Sequence, residues 1–284
     1  MQWVRLTVLL GVAAGVATAQ QPTVSEGGVL NSASYSTANP PGSLITIFGT
    51  NMAKAGELLI ASSTPLTMQL QNKTENVSVT VNDKAAPVYY VTATQSSVQL
   101  PWGTKVPASG TDNATIVVTR NGVKSPPQQM KVGRYSPGIF TVNQQGTGMA
   151  WVINNNDGTV AQPSAGWPFP KIATRAAKEG DNLFIYVTGL GPVNPTPKDG
   201  AAPCPAAGCP AGVKLAKTTT NPKIIIAGTA IPGDHIQFSG LTPFYPGVYQ
   251  LNFQMPSGIP AGNATTLEVQ IGGVTSNQVT FATQ

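Results

Sequence analysis

The chain carries one outline twice. Residues 40–52, PPGSLITIFGTNM, return in skeleton as residues 178–191, KEGDNLFIYVTGLG, at a fixed offset of 138. Gly42 answers Gly180, Ser43 answers Asp181, Ile45 answers Leu183, Ile47 answers Ile185 and Thr50 answers Thr188. Further on, VQLPWGTKVPASGTDNATIVVTRNGV (98–123) is echoed by LNFQMPSGIPAGNATTLEVQIGGV (251–274). Pro101 answers Pro256. Asn113-Ala114-Thr115 answers Asn263-Ala264-Thr265 and Gly122-Val123 answers Gly273-Val274, where the offset has grown to 150 or 151. The added residues are accounted for by GAAPCPAAGCPAG (200–212), present only in the second copy. Self-similarity of this kind means two copies of one structural plan, with the cysteine segment an inserted loop outside the common core.

Alternation within each copy reads as strands. In YQLNFQM, Tyr249, Leu251, Phe253 and Met255 point one way and the polar residues between them the other. TLEVQI and VSVTV repeat the pattern. Strands with one apolar and one polar face are what antiparallel sandwiches need. Thirty Gly and twenty-five Pro punctuate the chain too often for long helices. About seven short strands per copy suit an immunoglobulin-like sandwich, so the expected fold is all-β, two such sandwiches in tandem. Turn signals, Asn121-Gly122 and Asp157-Gly158, fall between strands.

Gly189-Leu190-Gly191 follows a strand, as phosphate-binding loops do, but no helix can start in PVNPTPKDG. Gly189 stands where the first copy has Asn51, and Gly and Asn are the residues that most readily take φ > 0. Both copies therefore call for a left-handed turn rather than a nucleotide site.

The N-terminus, MQWVRLTVLLGVAAGVATAQQ, has a basic start ending at Arg5, an apolar run from Leu6 to Val16 and small residues at Ala17-Thr18-Ala19. That is the pattern of a secretory signal peptide, residues 1–19, with cleavage expected before Gln20 and an uncleaved membrane anchor, for which the run is short, as the alternative. No later stretch is long and apolar enough to span a bilayer. The mature chain is expected to be secreted, to the periplasm, the cell surface or the medium. The first sandwich is expected over 20–135 and the second over 136–284, with the junction near GRYSPGIF.

The fragments GGVLNSASYS, PPGSLITIFGTNMA, APVYYV, SVQLPWG, SPGIFT, EGDNLFIYVTGLGPV and VYQLNFQMPSGIPAG resemble the Solibacter-type C-terminal domain family of secreted acidobacterial proteins. Its β-sandwich halves are similar to IPT/TIG immunoglobulin-like modules. The resemblance covers nearly all of the mature chain. It implies an exported all-β module, commonly at the C-terminal end of larger extracellular proteins, and it brings no catalytic residues with it.

Several chemistries lack their residues. The formal net charge of +5 comes from scattered basic residues among few acids, without the clustered Lys/Arg that nucleic acid requires. The one histidine, His235, is read as an exposed residue at a strand end, with Asp234 facing away from it. No Gly-x-Ser-x-Gly elbow occurs. Glu179 and Asp181 flank a turn at a solvated position. Glu26, Glu57, Glu75 and Glu268 are isolated, and Asp157 and Asp199 stand alone beside turn glycines, so neither a glycosidase pair nor a calcium site is indicated. No cofactor or metal motif is present, and the protein is not expected to be an enzyme. Cys204 and Cys209 are expected to form a local disulfide in an oxidising compartment.

Binding is the remaining class. SAGWPFPK sets Trp167 and Phe169 between prolines in an irregular segment, where rings can be held rigidly against a carbohydrate face or a partner groove. The competing fate, commoner for large rings, is burial between the two sandwiches. Tyr89, Tyr90 and Trp102 are expected to cover a sandwich edge. The expected function is extracellular recognition or adhesion toward a glycan or a surface protein. A structural role in surface attachment or assembly is the alternative, and polysaccharide turnover a more distant one.

Overall fold

The computed structural model describes residues 20–205 and 208–284. The expected signal peptide lies outside them. Two immunoglobulin-like β-sandwiches stand in tandem. In the first, one sheet runs in the order Thr23–Asn31, Leu44–Thr50, Gln95–Gln99, Val88–Val91, Leu59–Ile60. It faces a second sheet ordered Ala38–Asn39, Gln128–Gly133, Thr111–Arg120, Asn76–Val81, Gln69–Gln71. In the second sandwich the corresponding front sheet is Gly138–Ile139, Asn182–Thr188, Tyr249–Gln254, Ile236–Leu241, Lys217–Thr218, Val193–Asn194. Its back sheet is built on Lys223–Ile226, Gly262–Ile271 and Val279–Thr283. Among the described residues no helix is long and apolar enough to cross a membrane.

The sequence repeat is a repeat of strands. Leu44–Thr50 and Asn182–Thr188 are the same length at the 138 offset, and each is a second strand of its front sheet. Thr111–Arg120 and Gly262–Ile271 are both central ten-residue strands of the back sheets. Alternation then assigns the faces. Ile45 and Ile47 enter one core with Val79, Val98 and Ile116, while Leu183, Ile185 and Val187 enter the other with Leu251, Phe253 and Phe281. Phe253 and Phe281 are fully buried, so truncating either to Ala costs about 3–5 kcal/mol in lost transfer energy and cavity. Asn121-Gly122 closes its hairpin with both residues at positive φ, 48° and 82°.

Asn51 and Gly189 both take the left-handed conformation, at φ 56° and 79°. Gly189 meets a further demand, because a Cβ there would collide with Ser136 O and crowd Asn31 Nδ2. The second copy needs glycine at this point because the backbone of the connecting segment presses against the turn.

That contact is part of a dense seam between the sandwiches. Asn31 Nδ2 donates to Ser136 O at 2.8 Å, and Tyr35 Oη donates to Gln144 O at 2.7 Å. The Leu44 N–H donates to Thr188 Oγ1 at 2.9 Å, and that hydroxyl donates to Gly247 O at 2.8 Å. Leu66 N–H donates to Gly200 O, and Gly200 N–H donates to Gln99 Oε1. Trp102 packs against the core of the second sandwich, its backbone N–H donating to Asp199 Oδ1 at 2.7 Å. The ring that fills the space between the sandwiches is therefore Trp102. Each such hydrogen bond contributes about 1 kcal/mol net, so together they hold the two sandwiches in one orientation.

Three carboxylates read from sequence as solvated or isolated are ion-paired. Asp181 is buried, with Arg175 donating to both its oxygens at 2.7 and 3.0 Å and Lys178 N–H donating at 2.9 Å. Asp157 takes a third bond from the same guanidinium, Nε at 2.7 Å. Glu75 is buried under a bidentate pair with Arg120 at 2.6 and 2.7 Å. His235 also differs from its reading. It closes a 3₁₀ turn, Gly233–His235, ahead of the strand from Ile236, because Pro232 sets the entry, and its Nδ1 lies 3.0 Å from Gln254 O.

Candidate functional site

Where the outer faces of the two front sheets meet, a trough opens along the seam. Three adjoining concavities form it, of about 320, 370 and 450 Å³. The first shares Leu44, Phe140 and Trp151 with the second, and the second shares Tyr89 and Tyr245 with the third. They therefore lie in a row, with the middle one lined from both sandwiches.

The first sandwich contributes the outward residues of its front sheet. With Ile45 and Ile47 committed to the core, Leu44 and Thr46 must face out, beside Ser97 and Gln95 of the paired strand. The neighbouring strand Val88–Val91 carries a β-bulge, since Val88 pairs with Val98 but Tyr90 with Ser97. The extra residue breaks the alternation. Val88 and Val91 both enter the core, and Tyr89 and Tyr90 are both left on the trough side. Neither tyrosine caps a sandwich edge. Tyr89 Oη donates to Pro246 O across the seam at 2.7 Å, and Tyr90 Oη accepts from Gln95 Nε2 at 2.7 Å. Burial raises the pKa of both phenols, and the amide bond from Gln95 only partly offsets this at Tyr90. Both rings stay neutral at any physiological pH.

The second sandwich supplies Phe140, Trp151, Tyr186, Tyr245 and Val248. Tyr186 faces out because Ile185 and Val187 face in, and it meets Phe184 edge-on at 5.5 Å. Tyr245, more than half exposed, projects from the turn between Leu241 and Tyr249, with Phe244 beside it. That turn is fastened to the inserted loop, since Cys204 N–H donates to Pro243 O at 2.8 Å. Cys204 and Cys209 are bonded, with Cα atoms 4.8 Å apart.

Trp167 and Phe169 do not line the three concavities. They clamp Trp151, which does, with ring centroids 5.4 and 5.3 Å from it and 5.5 Å from each other. Trp167 Nε1 donates to Ile172 O at 3.1 Å, which fixes its ring within the irregular segment. Phe169 remains 38% exposed. The two candidate rings thus form a shoulder beside the trough and set the pose of Trp151.

The walls divide by chemistry. One end has hydroxyls and amides, with Ser32, Thr46, Gln95, Ser97 and Gln144 set among Tyr35, Tyr90 and Phe140. The middle is almost wholly aromatic and aliphatic. The far end mixes Ser62, Ser63 and Thr64 with Tyr89, Phe244 and Tyr245. No side chain lining any of the three is charged. Among the described residues no group of three or more His, Cys, Asp or Glu gathers where a metal could be held.

Residues 30–132 match the model of the IPT/TIG domain, an immunoglobulin-like module. No curated protein matches the chain. Among solved structures, it is similar to the surface glycan-binding protein PbSGBP-B from Prevotella bryantii at 14% identity, over 91% of this chain and 41% of that one, with a TM-score of 0.26. It is also similar to SGBP-B from a complex xyloglucan utilization locus in Bacteroides uniformis, at 13% identity over 93% and 50% of the two chains and a TM-score of 0.24. Domains 5–6 of the S-layer protein SbsC match at 11% identity over 93% and 98%, with a TM-score of 0.25. The chain spans half or less of PbSGBP-B and of the Bacteroides SGBP-B.

Proposed function

We propose that this is an exported recognition module, of the Solibacter-type family, that holds an extended glycan in the trough without turning it over. The two sandwiches, 20–135 and 136–284, act as one binding unit. The observation that carries the reading is the run of outward-facing rings along the seam, from Tyr35 and Tyr90 through Trp151 and Tyr186 to Tyr245, flanked by hydroxyls and amides. Flat aromatic faces beside neutral hydrogen-bonding groups suit a sugar ring, which presents C–H faces and an equator of hydroxyls. Export rests on the N-terminal leader. Binding without turnover rests on the carboxylates: Glu75 and Asp181 are spent in ion pairs, and no carboxylate lines the trough.

The test is retention of purified residues 20–284 on insoluble polysaccharides and fixed cell envelopes. Variants Trp151→Ala and Trp167→Ala/Phe169→Ala are run beside it. Retention by a polysaccharide, abolished by Trp151→Ala and weakened by the double variant, supports the reading. Retention on envelopes alone, indifferent to Trp151, overturns it in favour of a structural module for attachment or assembly.

A further inference from the structure

We infer that the trough takes an uncharged polysaccharide and discriminates against acidic ones. This rests on the glycan-binding reading and narrows it to a ligand class. The three concavities are walled from both sandwiches without a single Lys, Arg, His, Asp or Glu, in a chain that carries 16 basic and 11 acidic residues. A uronate or sulfate lowered into the middle concavity would lose part of its water against Leu44, Phe140, Trp151, Val248 and the rings of Tyr89, Tyr186 and Tyr245, and would meet no cation. A charge buried without a partner is strongly disfavoured. Neutral hydroxyls face no such penalty, because the polar end offers the Gln95 and Gln144 amides and the Ser97 hydroxyl as donors and acceptors. Tyr89, Tyr90 and Tyr186 add neutral phenols, which burial keeps from ionising.

The same geometry fixes how the ligand is read. The aromatic middle stacks on sugar faces whatever their linkage. The amide end distinguishes hydroxyl patterns, because a ligand that fails to meet the exposed Gln144 amide, the half-buried Gln95 amide and the buried Ser97 hydroxyl forfeits their hydrogen bonds. Affinity therefore depends little on salt, since no ion pair forms across the interface.

The test is affinity electrophoresis of residues 20–284 through gels containing soluble neutral polymers (hydroxyethyl cellulose, galactomannan, arabinoxylan) or acidic ones (polygalacturonate, alginate, chondroitin sulfate), at low and high salt. The expected result is retardation by at least one neutral polymer, changing by less than about twofold with salt. Tyr245→Ala and Trp151→Ala are each expected to weaken it by about tenfold or more. Tyr245 is exposed, so its variant retains the fold even if Trp151→Ala does not. Gln144→Lys, which sets a cation at the polar end, is expected to raise retardation by acidic polymers. Salt-sensitive retardation by an acidic polymer, lost in Tyr245→Ala, would overturn the neutral-ligand inference and leave glycan recognition standing. Absence of retardation by every polymer overturns both.

Discussion

Thr188 offers a sharp test of whether the two sandwiches form a fixed trough. Its hydroxyl is fully buried, accepts from Leu44 N–H at 2.9 Å and donates to Gly247 O at 2.8 Å. Thr188→Val keeps the shape and removes both bonds, leaving a backbone donor in one sandwich and a carbonyl in the other unsatisfied. Each orphaned group costs about 1–3 kcal/mol, and local relaxation of the seam brings the sum to about 2–4 kcal/mol. For a unit of this size, that lowers the melting temperature by about 5–12 °C. The repeat provides its own control. Thr50 occupies the matching position, but its hydroxyl pairs with Thr23 Oγ1 at the exposed surface, so Thr50→Val is expected to change stability by less than about 0.5 kcal/mol. Differential scanning calorimetry of both variants, with Thr188→Ser as the hydroxyl-retaining comparison, reads the difference. Equal melting temperatures for Thr188→Val and Thr50→Val would refute the claim that this hydroxyl couples the sandwiches.

Tyr89→Phe removes the seam bond to Pro246 O and is expected to cost about 1 kcal/mol in chemical denaturation, with little change in the first sandwich's own core. Arg120→Ala strands the buried Glu75 carboxylate and is expected to destabilise by about 3 kcal/mol, measured by urea midpoint. In the intact protein the Arg120 side-chain hydrogen bonds, opposed by burial, hold the Glu75 pKa below the ordinary carboxylate value of 4.5. Its contribution is therefore fully present above 4.5 and is lost as pH falls through the lowered folded-state value; a pH series of melting temperatures that flattens in Arg120→Ala checks the sign. Cys204→Ser/Cys209→Ser opens the loop that backs the Phe244–Tyr245 turn, and is expected to lower stability by about 2 kcal/mol at most while speeding amide exchange at Thr242–Val248.

The repeat offset, the core faces of the strands and the left-handed turns at Asn51 and Gly189 were legible because each depends on local alternation or on backbone conformation. The trough and the buried ion pairs were not, for three physical reasons. The bulge at Tyr89-Tyr90 adds one residue to one strand, and alternation cannot show which face gains it. Trp151, Tyr186 and Tyr245 come from separated segments and meet only through the seam. Asp181 and Glu75 find their arginines 6 and 45 residues away, so pairing could not be read from the neighbours of either acid. One signal was present. In NLFIYVT, committing Leu183, Ile185 and Val187 to the core leaves Phe184 and Tyr186 outward, and large rings on the polar face of a strand call for a partner surface or a ligand. Trp167 and Phe169 were singled out for rigidity; their contribution is to brace Trp151.

Hydrogen–deuterium exchange on residues 20–284, with and without a polysaccharide that retains the protein, tests the central claim most directly. One ligand held along the seam predicts slowed exchange in segments from both sandwiches together, at Ser32–Thr46 and Tyr89–Gln95 of the first and at Phe140–Trp151 and Thr242–Val248 of the second. Protection confined to one sandwich, or to a surface away from these segments, would contradict it.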